Sequence, residues 1–130
     1  MSSTTPLSVM IDWRGDTSAL VKLLGALLGQ NLVARSVDES IIYAAVLLDT
    51  ELLLIPDHGL EDDGSIQFSR YTHQLQLIAL DSGRFLASYA ALYEHLSLFL
   101  AERVSTALSC STELVANLQT SRARFHVDAI

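Results

Sequence analysis

The chain holds 130 residues, half of them apolar, and acids outnumber bases to leave a net charge of −7 and an isoelectric point near 4.8. That length and apolar content describe one domain over residues 1–130 with a real core and exclude a disordered chain. The acidity disfavours nucleic acid and anionic membranes as partners, because both are bound by Lys and Arg.

Residues 1–6 read as a short, flexible polar tail without the charged and apolar regions of a secretion signal. Leu7–Trp13, with Val9, Met10, Ile11 and Trp13, reads as a first strand. Arg14, Gly15 and Asp16 turn the chain. The tripeptide matches an integrin-binding signature, but without a secretion signal it reads as a turn before a helix capped at Asp16 or Thr17. Thr17–Leu28 is the first predicted helix, with Leu20, Leu23, Leu24, Leu27 and Leu28 at three- and four-residue spacing and Gly29 as its stop. Gly25 inside it suggests close approach of another element.

Asn31–Val37 is a short strand, and Asp38, Glu39 and Ser40 form a turn. Ile41–Leu48 and Glu51–Ile55 read as two strands joined at Asp49 and Thr50, with Pro56 ending the pair. Asp57–Ser65 is a loop by its Gly and Asp content. Ile66–Leu80 is expected to form one long strand. Its apolar positions change parity between Phe68 and Tyr71, which predicts a bulge near Ser69 and Arg70.

Ser82–Ser109 is the long helix around which the chain is organised, capped by Asp81 or Ser82. At about 100° per residue, Phe85, Tyr89, Leu92, Tyr93, Leu96, Phe99, Leu100 and Val104 share an apolar arc. Glu94, His95 and Glu102 fall opposite. Leu98 lies on the wet side, and Arg103 falls on the apolar arc, its stem expected against the core with its head in water. Thr112–Gln119 fits helix or strand. Ala123, Phe125 and Val127 alternate with polar residues as a half-exposed last strand. The order β-α-β-β-β-β-α-(β)-β predicts an α+β fold, a mainly antiparallel sheet with both helices on one face.

No nucleotide loop, nucleophile elbow or zinc-site spacing occurs. The four histidines are His58, His73, His95 and His126, of which His58, beside Asp57, is the best placed for function. His73 shares the parity of Tyr71 and Leu75, which predicts a partly buried, hydrogen-bonded ring. Cys110 is single, so it makes no internal disulfide and reads as an inert small residue. The cytoplasm is the simplest location, and no cofactor or metal is expected. An enzymatic reading would need a pocket gathering His58, Cys110 or Tyr71.

The strongest signal outside packing is charge. Between Arg35 and Arg70 there is no Lys or Arg, yet the interval carries Asp38, Glu39, Asp49, Glu51, Asp57, Glu61, Asp62 and Asp63. Acidic loops of this kind keep an apolar-rich chain soluble, or they meet a basic partner. Arg122 and Arg124 form the small opposite patch, expected to pair with nearby acids.

In size, charge and element order the chain resembles two kinds of bacterial protein. One is the immunity protein that neutralises a toxin. The other is the small acidic secretion chaperone, usually a homodimer, that holds an effector segment. Neither resemblance carries a motif, so no residue role transfers. The expectation is a non-enzymatic, protein-binding module, monomer or homodimer, that inhibits a basic toxin. Its contact surface is expected at Asp49, Glu51, Asp57, His58, Glu61, Asp62 and Asp63.

Overall fold

The computed structural model describes residues 6–47, 50–62, 66–80 and 86–126, and for 86–90 the main chain alone. Most of the expected tail, the Asp81 or Ser82 cap, the Tyr89 side chain, and Asp49, Asp63, Phe85 and Val127 lie outside the described residues. Pro6, the last residue of that tail, is tied to the fold: its carbonyl accepts the Asn117 N–H at 2.7 Å.

Among the described residues seven strands form one sheet in the order β2-β3-β4-β5-β1-β6-β7, and every neighbouring pair is antiparallel. The strands are β1 (Leu7–Ile11), β2 (Val33–Val37), β3 (Ser40–Leu47), β4 (Thr50–Ile55), β5 (His73–Ala79), β6 (Thr112–Ala116) and β7 (Thr120–Phe125). With helices α1 (Thr17–Leu28) and α2 (Leu86–Leu108) the architecture is α+β, and the element order agrees with the expected one. Thr112–Gln119 is a strand followed by a turn.

β1 is an interior strand, between β5 and β6. Leu7, Val9 and Ile11 face the helices, Met10 faces the other way, and all five of its residues are buried. Burial on both faces explains the apolar run Val9, Met10 and Ile11, and it takes in the polar Ser8 as well. α1 brings Leu20 and Leu24 into the helix-side core. α2 brings Tyr93, Leu96, Leu100 and Val104, packed with Leu52, Leu54, Leu75, Leu77 and Leu114 from the strands. Both helices therefore serve the same core.

The buried face of α2 differs from the expected one. Ser97, Ala101 and Ser105 are buried beside Tyr93, Leu100 and Val104, whereas Leu92 is 42% exposed and Phe99 56%. The helix is rotated by roughly 80° from the arc its large apolar residues define. Small side chains let the helix approach the sheet closely, and a stripe of larger ones would hold it away. Arg103 turns outward with Leu92 and Phe99 and is exposed.

Ile66–Leu80 is not one strand. Ile66 forms an isolated bridge, Phe68–Arg70 forms a turn of 3₁₀ helix, and β5 begins at His73. A single residue of bulge would keep the segment in the sheet; the 3₁₀ turn instead lifts it onto the face opposite the helices. There Ile66, Phe68 and Tyr71, with Leu60 and Leu118, cover Met10 and Val115 as a second small core. Leu118 has a left-handed backbone (φ 53°) that branched side chains disfavour, and its packing there offsets that strain.

Gly29 ends α1 in the left-handed region, its N–H bonded to the Gly25 carbonyl. The close neighbour of Gly25 is this same turn rather than another element: a Cβ at 25 would lie 3.1 Å from the Gln30 carbonyl oxygen. At the start of α1, Asp16 occupies the cap position but caps with no side-chain bond. Arg14 folds back on Asp12 at 2.7 Å.

Candidate binding groove

The β2–β3 turn, the start of β3, the end of β4 and the start of α1 meet at one end of the sheet. They enclose a groove of about 410 Å³. Ile41, Ile42, Tyr43, Ile55 and Pro56 give it an apolar lining, with Thr17 at one side. Glu39 and Asp57, both exposed, place a carboxylate from each of two loops on its rim, and among the described residues no Lys or Arg lines it. A groove of this kind accepts the aliphatic stem of a Lys or Arg on its lining and the cationic head between the carboxylates. The ring of Tyr43 adds a surface on which a cation can rest.

Among the described residues, the expected contact residues divide into three groups. Asp57 lines the groove. Glu51 sits near the far end of β4, about 20 Å away at strand spacing, and is bonded to Arg35 at 3.2 Å. The loop residues His58 and Asp62 hold the loop itself. His58 Nε2 donates to the Tyr71 carbonyl at 2.8 Å while Nδ1 accepts the Leu60 N–H at 2.9 Å, which fixes the tautomer with the proton on Nε2. Asp62 accepts from the Ser69 N–H at 2.8 Å and the Ser69 hydroxyl at 3.0 Å, capping the 3₁₀ turn. Glu61 remains exposed beside them. The described part of the acidic segment is thus folded back over the sheet, and among the described residues of the expected set Asp57 is the one that reaches the groove.

Sequence reasoning did not single out Glu39, Ile41 or Tyr43 for this site. Glu39 was visible as part of the charge gap, but its meeting with Asp57 depends on strand order.

His73 is buried, with both ring nitrogens engaged: Nε2 lies 3.0 Å from the Thr17 hydroxyl and Nδ1 lies 2.6 Å from that of Thr72. Burial, and next the nearby His58, hold its pKa below the usual 6.5. Thr17 therefore joins the groove wall to the core.

A second polar site lies under the 3₁₀ turn. The Tyr71 hydroxyl donates to Glu113 Oε1 at 2.8 Å, and Arg124 Nε donates to Oε2 at 3.1 Å. Burial works to raise the Glu113 pKa, but bonds from Ser121, Tyr71 and Arg124 outweigh it and hold the carboxyl below its usual range. Burial and the Glu113 bond push the Tyr71 phenol far up, so it stays protonated. Gln67 and Arg70 complete a polar recess of about 210 Å³. The expected pairing of the small basic patch is present, with Arg122 meeting Glu94 at 3.2 Å and Arg124 meeting Glu113.

His58, Tyr71 and Cys110 do not converge side chain to side chain. The Cys110 thiol faces the Val104 carbonyl at 3.8 Å, and burial pushes its pKa to about 11, so it carries a proton at neutral pH. Among the described residues no three His, Cys, Asp or Glu side chains are grouped to hold a metal ion. No helix among them is long and apolar enough to cross a membrane. No protein-family model, curated protein or solved structure matches the chain.

Proposed function

We propose that this protein is a non-enzymatic binding module for a basic protein partner, most concretely an immunity-type inhibitor acting in the cytoplasm. The observation that carries the reading is the groove between Glu39 and Asp57: apolar within, acidic at the rim and, among the described residues, without a cation of its own. A Lys or Arg side chain of the partner anchors there, and the net charge of −7 speeds its approach.

The test compares partner capture by the native chain and by the double variant Glu39→Lys, Asp57→Lys. A variant at Glu102, exposed on α2 and outside the groove, serves as the control. The native chain is expected to retain a basic protein in a salt-sensitive manner. The groove variant is expected to lose at least about tenfold in affinity, roughly 1.4 kcal/mol, while Glu102→Lys retains it. Equal retention by all three would sink the reading.

A second reading, the dimeric secretion chaperone, draws support from one feature. Leu98 does not stand alone on the wet side of α2. With Leu7, Ala91 and Leu114 it lines a groove of about 330 Å³, bounded by His95 and the Glu94–Arg122 pair, that suits an apolar segment of a partner.

A further inference from the structure

The two edges of the sheet are guarded differently. β7 carries Arg122 and Arg124, and its register with β6 shifts at Leu114 and Val115, two devices that discourage further strand pairing. β2 has neither. All five of its residues are exposed, Val33 at 63%, and its one charge, Arg35, is bonded to Glu51 of its own chain. Val37 and Ile41 at the same edge are also largely exposed.

The orientation of the β2 main chain follows from its hairpin. Asp38 and Glu39 both have left-handed backbones (φ 46° and 67°), which makes the connection a two-residue turn. Such a turn closes on a hydrogen-bonded pair, here Val37 and Ser40. Val33, Arg35 and Val37 therefore spend their main-chain groups on β3. The N–H and C=O groups of Ala34 and Ser36 point outward from the sheet.

The strand also reads nearly the same in both directions. Val33-Ala34-Arg35-Ser36-Val37 places an apolar, a small, a basic, a small and an apolar residue in turn. We infer that β2 pairs antiparallel with β2 of a second copy about a two-fold axis through Arg35, joining two sheets into one. In that register the outward groups of Ala34 meet those of Ser36 in the other copy, twice over. Val33 lies against Val37 on the face that also carries Val46. The two Arg35 residues lie directly opposite each other, and each guanidinium is drawn away from the seam by Glu51 of its own copy, which offsets their repulsion. The turn carboxylates Asp38 and Glu39 fall opposite the uncharged Leu32 and Asn31. A two-fold contact uses the same patch twice, which a nearly palindromic strand satisfies and an arbitrary one does not. The contact is a five-residue ribbon, smaller than the roughly 1,200 Å² lower bound of a standard stable interface, so the dimer is concentration-dependent.

Light scattering of the native chain at rising concentration is expected to show a monomer–dimer equilibrium. Ser36→Pro removes an outward N–H without touching the β3 ladder, and is expected to leave the far-ultraviolet circular dichroism unchanged and the chain monomeric throughout. In a Cys110→Ser background, Arg35→Cys places one thiol opposite its own copy, at the roughly 4.5 Å Cα spacing of a non-hydrogen-bonded pair. It should form a covalent dimer under mild oxidation, whereas Val37→Cys, which faces Val33, should not. A native chain that stays monomeric overturns the proposal, as does a dimer indifferent to Ser36→Pro. Cross-linking at 37 as readily as at 35 overturns it too, and that pair of variants decides the matter even if the proline variant fails to fold.

Discussion

One hydroxyl of the long helix is bonded to two strands at once. The Tyr93 phenol accepts the Leu7 N–H at 3.0 Å and donates to the Leu77 carbonyl at 2.8 Å, so it links α2 to two neighbouring strands. Tyr93 and Leu7 are both buried, and water cannot replace the lost partner. Tyr93→Phe is expected to cost about 1–3 kcal/mol, read as a lower denaturation midpoint at unchanged slope. A change under half a kilocalorie would mean that another group satisfies Leu7. Nothing in the sequence distinguishes this tyrosine from Tyr89 four residues earlier, since both lie on the apolar arc.

The elements differ in how openly the sequence announces them. The bounds of α1 are legible because leucine spacing, a preceding turn and a terminal glycine all agree. The β2–β3–β4 meander is legible from its turns. The 3₁₀ turn is not, because a parity change is the signature of a bulge as well, and only packing over Met10 and Val115 separates the two. For α2 the extent is legible and the buried face is not. The large residues mark where apolar area lies, but the small ones decide how close the backbone comes. Ala101, fully buried under that helix, is the sharpest probe. Ala101→Leu is expected to cost about 1–3 kcal/mol by overpacking, whereas Leu92→Ala should stay within about 0.5 kcal/mol. The opposite ranking in thermal denaturation would restore the arc of large residues as the buried face.

At the scale of the molecule, acidity and stability are linked through two buried groups. His73 has a folded pKa below 6.5, so the unfolded chain takes up its proton first and stability falls as pH drops through that value. Glu113 also has a depressed folded pKa. Its contribution is complete above the ordinary carboxylate range and is lost as pH falls through the folded value. The melting temperature is therefore expected to decline from about pH 6.5 and again in the carboxylate range. His73→Gln should flatten the first part and Glu113→Gln the second. A melting temperature flat between about pH 7 and about pH 5 would contradict the first assignment. The acidic segment was legible as composition. That His58 and Asp62 brace the loop, leaving Asp57 to meet Glu39, required the strand order that brings residues 39 and 57 to one groove.

The position of β1 has a consequence in time. It is made before either strand that flanks it, and its ladders join Leu7 to Leu77 on one side and to Ala116 on the other. Until β6 has left the ribosome, one long edge of an otherwise apolar strand has no partner. Contacts so distant along the chain close slowly, because the intervening loop must lose its freedom before they form. β2 to β5 can zip up as a local meander. The sheet as a whole waits for β1 to be enclosed from both sides, and during that wait the nascent chain is most in need of a chaperone.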